Sequence, residues 1–131
     1  IARSAIKTGN EAKAKLAYEQ VELTATGVTA AEALYYNAYF KNKAGAYQNS
    51  LKATQRLVKD FSSYRYYGAK GLIVMAKNQY ALGDAFQATY ILESVIKNFS
   101  DFPEVVSEAQ AELNSIKTEQ AKTNASVETE D

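Results

Sequence analysis

The chain contains no cysteine and no histidine. Without thiols it can form no disulfide, no thiolate metal site and no cysteine nucleophile. Without imidazole it lacks the usual general base near neutral pH and the commonest metal ligand. Tryptophan is also absent, and one proline and six glycines leave few interruptions in 131 residues. Such sparse punctuation is expected of long helices joined by short turns. Lys and Arg number 15, as do Asp and Glu, so the formal net charge is zero. No bulk attraction therefore draws the chain to nucleic acid or to anionic lipid. No apolar run approaches the roughly 20 residues that cross a bilayer.

What is present is apolar content and periodicity. At 47% hydrophobic residues the chain has material for one real core, and its length suits a single domain. Gly9, Gly45 and Gly83 stand 36 and 38 residues apart, and each is followed by the same pattern. Five residues on come Ala14, Ser50 and Ala88. Eight on come Ala17, Ala53 and Ile91, and twelve on come Val21, Leu57 and Val95. Ahead of the glycines, Ala31, Leu34 and Ala38 match Ala69, Leu72 and Ala76. Steps of three and four put these side chains on one helix face. The unit reads as helix, glycine turn, helix, polar turn.

Helices are predicted near 10–25, 30–43, 46–61, 65–82, 85–99 and 102–120. Gly45 and Gly83 are natural helix stops. Thr29 with Glu32 reads as a capping box, and Asp101, Pro103 and Glu104 read as a helix start. Asp60, Asp84 and Asp101 fall at predicted turns, where capping explains them. Residues 1–8 read as the stump of a truncated first helix, since the sequence opens at Ile1 in mid-repeat. Residues 9–117 form the repeat domain, with breaks near 28 and 65 and a capping helix from 102. Residues 118–131 read as an acidic, disordered tail.

The pieces Leu34, Ala38, Gly45, Tyr47, Ser50, Leu57 and Leu72, Ala76, Gly83, Ala88, Val95 resemble tetratricopeptide repeats. The stretch ALGDAFQATYILESVIKNFSDF (81–102) resembles the degenerate repeats of bacterial cell-envelope scaffolds. The period departs from the family's 34 or so residues, the usual Trp is missing, and Ser62 and Ser100 stand where a closing Pro is common. The resemblance implies an all-α fold, a right-handed α-solenoid of about six helices in antiparallel pairs. It implies a non-catalytic scaffold for protein–protein interaction, in the periplasm or cell envelope, that binds a protein or peptide segment in a concave groove.

Ten tyrosines are the distinctive feature of the composition. In an array of this kind the first helix of each pair lines the groove, which nominates Tyr35, Tyr39 and Asn42, then Lys70, Ile73, Lys77 and Tyr80. Tyrosine offers a rigid apolar ring with a polar tip, and Lys70 and Lys77 can meet an acidic group on a partner. The alternative is that the tyrosines fill gaps between repeats, as Tyr36 and Phe40 are expected to do. A second role is architectural: a polar cap, from the helix carrying Glu104, Glu108 and Glu112, whose partners are neighbouring repeats. The truncated amino-terminal end would expose an apolar face and promote weak self-association.

Enzyme chemistry has little footing. The pair Glu93–Ser94 resembles the Glu–Ser of lytic transglycosylases, but the aromatic and glycine motifs such a catalytic acid needs do not follow it. No phosphate loop, calcium loop or metal-ligand set is present, and no cofactor is expected. Asn98-Phe-Ser100 and Asn124-Ala-Ser126 match the glycan acceptor pattern, which matters only in a eukaryotic secretory setting.

Overall fold

A computed structural model describes residues 11–24 and 27–130. Six α-helices and no strand occur among these described residues: α1 (Glu11–Thr24), α2 (Gly27–Lys43), α3 (Tyr47–Asp60), α4 (Arg65–Ala81), α5 (Ala85–Asn98) and α6 (Pro103–Glu130). The all-helical expectation therefore holds. The expected stump at 1–8 lies outside the described residues.

The two glycine turns are built alike. Gly45 and Gly83 have φ of 82° and 93°, a left-handed conformation that glycine adopts without steric cost. In each turn the glycine N–H donates three residues back, to Asn42 O or Tyr80 O. The next N–H donates five residues back, from Ala46 to Lys41 O (2.9 Å) and from Asp84 to Gln79 O (2.8 Å). This double bond pattern satisfies the last carbonyls of α2 and α4. Asp84 then caps α5, its carboxylate accepting from Gln87 N–H at 3.0 Å.

The polar turns also repeat. Phe61 and Phe99 end α3 and α5 with N–H bonds to Leu57 O and Val95 O, and Tyr64 and Phe102 fold back on them. Pro103 opens α6 as expected.

Two sequence expectations need correction. The capping box does not start α2, because the helix begins at Gly27 and Thr29 lies inside it. Glu32 instead accepts a hydrogen bond from the Tyr67 hydroxyl at 2.7 Å. The last helix also does not stop near 120, because α6 is continuous to Glu130. Nothing in 104–130 breaks it: the segment has no Gly or Pro and is rich in Ala, Glu, Lys and Gln, all good helix formers.

Each helix packs on its sequence neighbours, and α4 also packs on both α2 and α6. No such contact joins α1, α3 and α5 to one another among the described residues. Three apolar clusters follow this order. Ala14, Tyr18, Ala33 and Phe40 join α1 to α2. Ala31, Leu34, Tyr35, Ala38, Ala53, Leu57 and Val74 join α2, α3 and α4. Ala69, Ile73, Ala76, Leu92, Val95, Val105, Leu113 and Ile116 are among those joining α4, α5 and α6. Helix α4 thus turns Val74 to one cluster and Ile73 to the next. Full burial of each such Leu, Ile or Val is worth about 1.5–3 kcal/mol. Small residues set the spacing: a Cβ on Gly71 would lie 2.5 Å from Leu57 Cδ2.

Candidate binding surface

The residues nominated from the sequence collect in two seams, one on each side of α4. In the first, between α2 and α4, Tyr35 is only 4% exposed. Its ring meets Tyr36, Tyr39 and Tyr67 at centroid distances of 4.8, 6.3 and 6.0 Å. Lys70 Nζ lies 5.3 Å from its centroid. Burial, with a smaller contribution from Glu108, pushes the Tyr35 phenol far above its ordinary range, so it stays protonated. Tyr39 is half-buried, packs edge-on to Phe40 at 5.2 Å and takes Lys43 Nζ at 5.5 Å from its ring centroid.

A polar relay also links α2, α3 and α4. Asn42 Nδ2 donates to Asn78 Oδ1 at 2.8 Å, and Asn78 Nδ2 donates to Ser50 Oγ at 2.8 Å. Ser50 Oγ donates to Ala38 O at 2.6 Å. Ser50 and Asn78 are fully buried, so each hydrogen bond also removes the penalty of a stranded polar group.

The second seam, between α4 and α6, is ionic. Lys70 meets Glu108 at 3.5 Å and Lys77 meets Glu112 at 3.4 Å. Tyr80 packs against the third cluster, beside Glu119 of α6, and desolvation raises its phenol. Arg65 closes the far end of α4. Its guanidinium donates to Asp101 at 2.9 and 3.3 Å and to Asn98 O at 2.9 Å, while lying 4.7 Å over the Phe99 ring. The Arg65 hydrogen bond holds the Asp101 carboxyl below its ordinary value, and the guanidinium is raised in turn.

These placements correct the picture of seven residues lining an open groove. Ile73 is fully buried and Tyr35 nearly so, and neither can meet a partner without opening the core. Asn42 is committed to Asn78. Tyr39, Lys70, Lys77 and Tyr80 keep solvent access, and both lysines are already paired within the chain. Tyr36 does the packing expected of it, stacked on Tyr18 at 4.5 Å. Sequence reasoning missed that Glu108 and Glu112 answer Lys70 and Lys77. The signal was present: opposite charges lie 38 and 35 residues apart, about one repeat.

Among the described residues no group of three or more acidic side chains converges to hold a metal ion, and no helix is long and apolar enough to cross a membrane. Glu93 stands exposed on α5. No protein-family model matches the sequence, and no curated protein and no solved structure matches it either.

Proposed function

We propose that the chain is a non-catalytic scaffold, a right-handed stack of antiparallel helix pairs that holds a segment of a partner protein along the face made by α2, α4 and α6. The carrying observation is the spacing of its cross-seam contacts. Glu32–Tyr67, Asn42–Asn78, Arg65–Asp101 and Lys70–Glu108 each join residues about one repeat apart. That is the pattern of units that touch only their neighbours. The same face offers Tyr39 as an aromatic platform and an ionic row, Lys70–Glu108 and Lys77–Glu112, that a charged partner segment can enter by exchanging pairs. The cell-envelope setting implied by the resemblance belongs to this reading.

A charge swap tests it. The quadruple variant K70E/K77E/E108K/E112K keeps both internal pairs and reverses the pattern that a partner meets. The expected result is unchanged helical circular dichroism with loss of whatever partner the parent chain captures. Retention of that partner at full affinity by the folded swap variant sinks the groove.

A second reading, a structural cap for an array, rests on the outer face of α6. Thirty-eight residues after Ala69, Leu72, Ile73, Ala76 and Tyr80, which pack α4 on α5 and α6, stand Ser107, Gln110, Ala111, Asn114 and Thr118. All five are exposed, and Gln110 donates to Asn114 at 2.9 Å. A face so polar needs no further helix upon it.

A further inference from the structure

Of the ten tyrosines and five phenylalanines, Phe86 and Tyr90 are the most exposed aromatic residues described, at 78% and 63%. Both lie on α5, one turn apart, and neither ring meets another. The stripe continues with Glu93 and Lys97, also exposed, and Leu82 flanks it at 39% exposed. Residues 86, 90, 93 and 97 fall within one narrow arc of the helix. Ala88, Leu92 and Val95, which α5 buries against its neighbours, point the opposite way. The helices of the fold therefore leave this arc uncovered. The scaffold does not require aromatics there: the equivalent positions of α3 are Gln48, Lys52, Gln55 and Lys59, all exposed. The side chains of Glu93 and Lys97 have no ion pair or hydrogen bond among the described residues.

We propose that α5 is a self-association helix, on which a second copy of this chain docks antiparallel through the stripe Phe86, Tyr90, Glu93 and Lys97. The argument for a second copy is self-complementarity. A two-fold axis between positions 91 and 92 sets each residue 90 opposite residue 93 of the other copy, and each 86 opposite 97. Each Tyr90 hydroxyl then meets a Glu93 carboxylate, and each Lys97 ammonium meets the face of a Phe86 ring. Both charges gain a partner and both aromatic rings leave water. A single helix-on-helix contact is smaller than the roughly 800 Å² per partner of a standard interface, so the dimer is weak and reversible. This surface lies outside the α2–α4–α6 face, and it stands or falls independently of partner binding there.

Sedimentation equilibrium from roughly 10 µM to roughly 1 mM, a range that covers contacts below standard size, tests the proposal. The weight-average mass is expected to rise from 14.4 kDa toward twice that value. F86A/Y90A, which changes only exposed side chains, should remain helical and weaken association by about tenfold or more. K97E should weaken it as well, whereas K97R retains it. A parent chain that is monomeric throughout overturns the proposal and leaves the stripe to a different protein. Association that survives F86A/Y90A also overturns it, by locating the contact elsewhere. Indifference to K97E overturns the antiparallel pairing.

Discussion

The α2–α3–α4 interface and the α4–α5–α6 interface occupy the same positions of the repeat, yet they are filled by different chemistry. Ser50 and Asn78 in the first become Ala88 and Ile116 in the second, 38 residues later, and all four are buried. Asn42, which completes the relay, becomes Tyr80. The first interface thus keeps polar contacts in its buried interior. The second has an apolar interior and moves its polar contacts, Lys70–Glu108 and Lys77–Glu112, to the water-facing edge. One packing geometry accepts either solution, because a hydrogen-bonded Ser–Asn pair and an Ala–Ile pair both leave nothing stranded. What neither tolerates is a half of the other.

The largest effect should come from mixing the two. Ile116→Asn puts an unpaired amide into an apolar cluster and should cost about 3–5 kcal/mol, read by thermal or urea unfolding. Asn78→Ala removes the centre of the relay and should cost about 2–3 kcal/mol. The double change S50A/N78I replaces the buried pair by that of the second interface, leaves the half-buried Asn42 amide to water, and should return to within about 1 kcal/mol of the parent. A double variant as unstable as Asn78→Ala would refute the equivalence of the two interfaces.

Smaller effects belong to the ionic edge. A double-mutant cycle on Lys70 and Glu108 should give a coupling below about 1 kcal/mol, fading as salt approaches about 1 M. The smallest concerns acid. Asp101 is held below the ordinary carboxyl value of 3.8, so its link to Arg65 contributes stability above that value. The contribution is lost as pH falls through the lowered folded value. A carbon-13 titration of Asp101 should show a midpoint below 3.8 that moves back toward it in Arg65→Gln.

Much of the secondary structure was legible because glycine turns and a three–four apolar period are local signals. The expected helices at 46–61 and 85–99 come within a residue of Tyr47–Asp60 and Ala85–Asn98. The site was less legible, for a physical reason. Periodicity tells which side chains share a face, not how many neighbours close over it. Helix α4 is packed on both sides, so Ile73, read as groove wall, lies in the core. The capping box failed similarly: Thr29 and Glu32 have the right spacing, but the Tyr67 hydroxyl, supplied from α4, claims the carboxylate. The end of the last helix was set near 120 and not at Glu130 because polarity was weighed above helix propensity.

Units that share one packing pattern carry a hazard during folding, since a helix pair can dock one unit out of step and still satisfy many local preferences. The buried Ser50 hydroxyl and Asn78 amide act against that error. Were α6 to settle against α3 in place of α4, Ile116 would face the Ser50 hydroxyl and leave the Asn78 amide unpaired. The slipped chain would be compact and helical but penalised at its centre. A single hydroxyl–amide pair, present in one interface and absent from the next, thereby proofreads the order in which the units assemble.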